Sequence, residues 1–134
     1  MVNNIYKKQG RYQTKYLKNK VMNKDTYALR RKVMSFIYDA KALDPTLPRI
    51  TVRITDNNST TLGVGRMKGN TIWITDKAIN CKDYQLRNVV FHEILHATYG
   101  VPHSTTCPLM SPVIQKIPKA KAEARFKYWV KKYQ

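Results

Sequence analysis

Acidic residues are scarce in this chain of 134 residues: Asp and Glu together number 8, against 25 Lys and Arg. The net charge of +17 exceeds what solubility requires and attracts polyanions. No apolar run approaches the ~20 residues of a membrane-spanning helix, so no membrane span is expected. The two cysteines, Cys81 and Cys107, are too few for a disulfide framework, and we expect both to be free thiols; the alternative is a single bridge between them.

The amino-terminal segment lacks the layout of a secretory signal, because no apolar stretch follows its charges, and we therefore expect an intracellular protein. Residues 1–24 carry seven basic residues and no acid, with tyrosines interleaved and no clear periodicity. This pattern predicts a basic extended arm, followed by one domain over residues 25–134. Lysines among tyrosines can contact phosphates and stack on bases. The candidate nucleic-acid contacts of the arm are Lys7, Lys8, Arg11, Lys15 and Lys18.

Apolar periodicity predicts an α+β domain. Asp25 is a candidate helix N-cap, and apolar residues then recur at helical spacing until Asp44-Pro45. Two later segments alternate strictly between apolar and polar residues, which indicates half-buried strands. A short extended segment precedes the second of these and is expected to neighbour it across a turn. The predicted elements are a helix over about 26–43, strands over 49–55, 62–66 and 71–75, and helices over about 83–99 and 119–132.

The chain has only three histidines, and all of them fall within residues 92–103. Residues four apart lie on one face of a helix, so His92 and His96 can direct two imidazoles at one ion, with the Glu93 carboxylate beside them. Zinc hydrolases use this arrangement. The ordinary alternative is a pair of surface histidines and a solvated glutamate. The helical phase places the pair beside the buried side, where unpartnered imidazoles would be costly to desolvate.

Two residues compete to be the third metal ligand. His103 follows Gly100, where a chain reversal could bring its imidazole to the metal. Glu123 in the last helix could supply a carboxylate instead. We favour His103, because a glutamate among lysines has an ordinary explanation as a salt-bridge partner.

Residues 71–112 resemble the metzincin clan of metallopeptidases, and among these they are most similar to matrixins. The clan has the pattern HExxHxxGxxH and a later methionine turn; here His103-Ser104 is followed by Leu109-Met110-Ser111-Pro112. One departure concerns spacing. Gly100 and His103 stand four and seven residues after His96, each one residue further than in the family.

The resemblance implies a minimal metzincin-like domain. Its small twisted mixed sheet would pack on an N-terminal helix and an active-site helix, and a C-terminal helix would close the fold. The implied cofactor is Zn²⁺ on His92, His96 and His103, with Glu93 as general base and Met110 as the floor beneath the metal. The implied substrate-binding edge comprises Gly63, Val64, Gly65 and Arg66.

These features predict a zinc-dependent metalloendopeptidase that hydrolyses peptide bonds in a protein or peptide substrate by a zinc-bound water. The alternative is a basic structural or assembly protein, associated with nucleic acid or a virion, in which the zinc site is structural or vestigial. A short chain rich in Lys and Asn is consistent with a bacteriophage product. Both interpretations can hold in one protein.

Overall fold

The computed structural model describes residues 24–55, 63–65, 69–113 and 115–134, with residues 63–65 described at the level of the backbone. The predicted basic arm, apart from Lys24, lies outside the described residues. The predicted α+β class is confirmed. The elements in order are α1 (Lys24–Leu43), β1 (Thr51–Thr55), β2 (Gly63–Gly65), β3 (Thr71–Thr75), a 3-10 turn (Asp76–Asn80), α2 (Asp83–Ile94), a π-helical turn (Leu95–Tyr99) and α3 (Lys119–Tyr133).

The element boundaries differ slightly from the sequence prediction. Asp25 lies inside the first turn of α1 and not before it, where a carboxylate still interacts favourably with the positive end of the helix dipole. The first strand begins at Thr51 rather than at residue 49. The 3-10 turn was not predicted, and the last turn of the histidine helix is π-helical rather than α-helical.

The three strands form a mixed sheet in the order β1-β3-β2. β2 runs antiparallel to β3, which confirms that these two segments are neighbours. β1 runs parallel to β3, with Thr51 opposite Thr71.

Asn70, just before β3, has a φ of 51°, in the left-handed region that asparagine tolerates. Its carbonyl accepts the Thr51 N–H (2.9 Å) and its own N–H donates to the Ala97 carbonyl (3.3 Å), so it links the sheet to the π-helical turn.

The α2 helix is the central element of the domain. Every residue from Leu86 to Ile94 is buried, polar ones included, whereas α1 buries only one stripe. A helix that is buried on all sides must be surrounded by other elements, and α2 contacts α1, α3, β2 and β3. The fold therefore encloses the segment that carries His92 and Glu93.

One expectation from composition is confirmed. Cys81 and Cys107 are free thiols. Within the described ranges, no helix combines the length and the apolar character that crossing a membrane would demand.

Helix α3 covers α2 through an aromatic contact. The Phe126 ring packs on the Phe91 ring with centroids 5.0 Å apart, and both side chains are fully buried. Phe91 directly precedes His92 in the sequence. Packing between α3 and α2 therefore helps to fix the rotation of the histidine helix.

Replacing Phe126 with Ala is expected to lower the free energy of unfolding by about 3–5 kcal/mol, because it leaves a large cavity against Phe91. Urea unfolding followed by circular dichroism measures this loss. The matched control is Tyr38→Ala on α1, where the side chain is 69% exposed and the change should stay within about 0.5 kcal/mol. Equal effects of the two substitutions would contradict the assigned packing.

Candidate metal centre

Three imidazoles converge at the end of α2. The Nε2 atoms of His92 and His96 lie 3.0 Å apart, and those of His92 and His103 lie 3.3 Å apart. One ring nitrogen from each of the three histidines lies within 4.8 Å of the others. For comparison, two nitrogens bound to one tetrahedral zinc ion at ~2.0–2.1 Å are about 3.3–3.4 Å apart. The structure thus brings together the three predicted metal ligands.

Backbone carbonyls fix the orientation of two of these rings. The Nδ1–H of His92 donates to the Leu109 carbonyl at 2.7 Å, and the Nδ1–H of His96 donates to the Val101 carbonyl at 2.6 Å. A neutral imidazole that donates from Nδ1 has its lone pair on Nε2. Both lone pairs consequently face the same point, as in metal sites where a second hydrogen bond sets the tautomer.

Two facing lone pairs 3.0 Å apart repel each other unless a cation lies between them. Protonation of one ring does not supply that cation near pH 7. Burial lowers the pKa of His92 to about 4 and also lowers the pKa of His96. Both rings are therefore neutral near pH 7. His92, His96 and His103 form a group that can hold a metal ion.

The loop from His103 to Met110 is folded back onto the site by its own hydrogen bonds. The Ser104 N–H donates to the Met110 carbonyl at 2.9 Å, directly after His103. The Ser104 hydroxyl accepts the N–H groups of Thr106 and Cys107, each at 3.2 Å. Met110 is fully buried and follows Leu109, whose carbonyl orients His92. The Leu109-Met110 segment thus positions both the His92 ring and the part of the loop that carries His103.

The histidine helix ends in a π-helical turn of five residues, Leu95–Tyr99. A π turn has one more residue than an α turn, so it accommodates a single insertion without displacing the residues beyond it. The Gly100 N–H is shared between the carbonyls of His96 and Leu95, and the Val101 N–H also donates to Leu95. Gly100 has a φ of 68°, which glycine adopts without steric cost and which ends the helix. The chain then reverses and delivers His103 to the other two rings.

The last residue of the π-helical turn is hydrogen-bonded to the residue that follows α1. The Tyr99 hydroxyl donates to the buried Asp44 carboxylate at the end of α1. The same carboxylate accepts the Thr46 N–H (3.1 Å) and the Thr46 hydroxyl (2.6 Å). Burial, together with the hydrogen bond to Asp44, raises the pKa of Tyr99. This network links the π-helical turn to the end of α1.

The structure favours His103 over Glu123 as the third ligand. Glu123 is not among the residues that form the metal-binding group, and its carboxylate lies 3.9 Å from the Lys119 ammonium, one helical turn away. That contact is an ordinary i,i+4 pair. His103 is exposed to solvent, so the group is open on that side.

The remaining predicted site residues lie on α2, at one edge of the sheet, or outside the described residues. Glu93 is next to His92 on α2 and is 6% exposed. Gly63, Val64 and Gly65 form β2 at the sheet edge, next to α2 and its π-helical turn. Arg66 lies outside the described residues, and so do the predicted contacts of the arm, Lys7, Lys8, Arg11, Lys15 and Lys18.

Sequence reasoning missed the backbone groups that build the site. The Leu109 and Val101 carbonyls orient the His92 and His96 rings. Every residue has a backbone carbonyl, so the residue types at these positions do not indicate this role. The Asp44 carboxylate was also missed. Its one available signal was a carboxylate next to a proline at the end of a helix, which is equally typical of an ordinary turn.

His103→Ala is expected to weaken zinc binding by at least about tenfold, because loss of a direct ligand costs more than loss of a supporting hydrogen bond. Glu123→Gln is the matched control and should bind zinc as the parent chain does. Competition titration with a chelating dye measures both affinities. The reverse ranking would exchange the roles of His103 and Glu123.

Deleting Thr98 is expected to preserve zinc binding to within about tenfold, because the π turn can revert to an α turn. Thr98 is chosen for the deletion because its buried hydroxyl has no hydrogen-bond partner, so that removing the side chain breaks no hydrogen bond. The control is deletion of Val89 in the α-helical part, which should abolish binding by rotating the helix by about 100°. If both deletions abolish binding while circular dichroism shows folded protein, the role given to the turn is wrong.

Comparisons with protein-family models, with curated proteins and with solved structures find no significant match to this chain. A metal centre is therefore inferred from the chain's own residues: three convergent imidazoles, two of them oriented by backbone carbonyls.

Proposed function

We propose that this protein is a zinc-dependent metalloendopeptidase. The observation that carries the proposal is the convergence of three imidazoles on one point, with the Nε2 lone pairs of His92 and His96 fixed by backbone hydrogen bonds. A purely structural zinc site is normally closed by four protein ligands. Among the described residues, only three side chains join this group, and the exposed His103 leaves it accessible to solvent.

The donor set suits zinc. Imidazole ligands favour Zn, Cu, Fe and Ni over the hard cations Mg and Ca, which prefer oxygen. When bound to three histidines, zinc lowers the pKa of a water toward ~7 and polarises a carbonyl group. The chain's contribution is to orient the His92 and His96 imidazoles through backbone carbonyls, and to leave one side of the group open.

Glu93 is the residue assigned to proton transfer. It follows His92 on the most buried helix of the domain, so its carboxylate belongs to a rigid element rather than to a loop. Glu93 would accept a proton from the attacking water and deliver it to the leaving amine. A single carboxylate can perform both steps, because it is regenerated at the end of the cycle.

The substrate is proposed to bind along the outer edge of β2. In the described part of the sheet, β2 pairs only with β3, so its other edge can accept an extended peptide by backbone hydrogen bonding. β2 also packs next to α2 and the π-helical turn, which brings this edge close to the histidines. The opposite edge is less suitable, because the Arg30 guanidinium donates to the Val52 carbonyl of β1 at 3.2 Å.

A metzincin-like fold is part of the same proposal. The order of elements supports it: a helix, three strands, the histidine helix, a buried methionine in a tight loop and a closing helix. The hydrogen bonds from Ser104 to Met110 and from His92 to Leu109 supply a physical reason for a methionine loop beneath the histidines.

Glu93→Gln is expected to retain zinc and to lose about 10²–10⁴-fold in cleavage rate, because the amide keeps the shape of the side chain but cannot accept the proton. Release of fluorescein from labelled, denatured casein measures cleavage, and elemental analysis of the purified protein measures the metal. Glu123→Gln makes the same chemical change on α3 and serves as the control, with the parent rate expected. Undiminished cleavage by the Glu93 variant would remove that residue from the mechanism.

If the zinc-loaded parent chain cleaves neither casein nor a peptide library, the peptidase proposal fails and a metal site without hydrolysis remains. Zinc content distinguishes this outcome from a simple failure to load the metal.

A further inference from the structure

The solvent side of α3 is strongly cationic, and Glu123 is the one acid on the helix. Four lysines and one arginine lie there, and we call the set, together with an exposed tyrosine, the α3 cationic face. Its members are Lys121, Arg125, Lys127, Tyr128, Lys131 and Lys132. The opposite side of the helix is fixed in the core by Ala122, Phe126 and Val130, all of them buried. Because one side of α3 is held in the core, the other side presents its charges at fixed positions.

Helical spacing aligns four members of this face in a single row. Lys121, Arg125, Tyr128 and Lys132 follow one another at intervals of four, three and four residues, which keeps them within one narrow arc of the helix surface. At 1.5 Å per residue the row extends over about 16 Å. Lys127 and Lys131 form a second, parallel pair beside it, four residues apart.

Carboxylates do not neutralise these cations. In the parts of the chain that the structure describes, no acidic group lies within ion-pair distance of the five cations of this face. Glu123, the one acid on α3, is half-buried and pairs with Lys119 at 3.9 Å. Like charges at i,i+4 destabilise a helix slightly. Stability of α3 alone therefore does not account for the pattern.

We propose that the α3 cationic face binds the phosphate backbone of a nucleic acid. A row of fixed cations is complementary to a chain of regularly spaced phosphates, and its binding gains free energy from counterion release. Tyr128 is 47% exposed, so its ring is accessible to a base for stacking. The Lys132 ammonium lies 5.9 Å from the centre of that ring, which places a phosphate contact beside a stacking position.

An anionic membrane is a weaker partner for this surface. Helices that lie in a membrane interface insert an apolar side among the lipids. The most apolar side of α3 is already buried in the core. The exposed positions between residues 120 and 132 are lysines, alanines and one tyrosine, with Glu123, Arg125 and Trp129 half-buried. Nucleic-acid binding by this face does not depend on the metal centre or on peptide cleavage.

The test is fluorescence anisotropy of the full chain with labelled single-stranded and duplex DNA at several salt concentrations. The triple variant Lys121→Gln, Arg125→Gln, Lys132→Gln is expected to bind at least about tenfold more weakly near 0.1 M salt. The slope of log K against log salt should fall by roughly 2–3, as expected for the loss of three phosphate contacts. Circular dichroism confirms that the variant is folded.

The matched control also removes three positive charges, but from residues outside the α3 cationic face: Arg49→Gln, Arg53→Gln, Lys119→Gln. The first two residues are exposed near β1, and Lys119 lies on another side of α3. The control should keep the slope of the parent chain. Equal losses in both triple variants would show that net charge alone drives binding, which overturns the proposal. So would a face variant that binds DNA normally but loses affinity for vesicles containing phosphatidylserine.

Discussion

Two short hydrogen bonds, from the Nδ1–H groups of His92 and His96 to backbone carbonyls, determine what the end of α2 can do. They fix both tautomers, so that both Nε2 lone pairs face one point. Without these bonds each ring could rotate or exchange tautomers, and two histidines four residues apart would be an ordinary pair on a helix. The carbonyls come from Leu109 and Val101, in the loops after the helix. The site therefore exists only when those loops are folded.

The π-helical turn and the loop before Met110 are in turn anchored to different parts of the domain. Asn70 connects the sheet to Ala97, and Tyr99 connects the π-helical turn to Asp44 at the end of α1. The Trp129 indole N–H donates to the Cys107 thiol at 3.2 Å, which connects α3 to the loop that leads to Met110. Sheet, first helix and last helix all constrain the same short region. A domain of this size can hold a preorganised site because its few elements each contribute one such contact.

Sequence alone predicted the features that depend on local periodicity. The spacing of His92 and His96, the alternation in β3 and the positions of the three helices are properties of neighbouring residues, and they agree with the structure to within a few residues. The parallel pairing of β1 with β3 depends on a crossover that no local pattern records. The convergence of His103 depends on a chain reversal at Gly100. The spacing of Gly100 and His103 after His96 was visible in the sequence, but whether it would bring His103 to the other two rings was a question of backbone hydrogen bonding.

The unequal burial of the three histidines has a consequence for how fast an ion could enter and leave. His92 is 4% exposed and held by a carbonyl, whereas His103 is open to solvent. Any ion held by the group would detach first from His103, since that ring alone can swing away without disturbing the core. Chelators would approach from this side, and the dissociation rate would follow the mobility of one loop. Thermodynamic affinity would depend on all three ligands, while kinetic lability would be set by the exposed one.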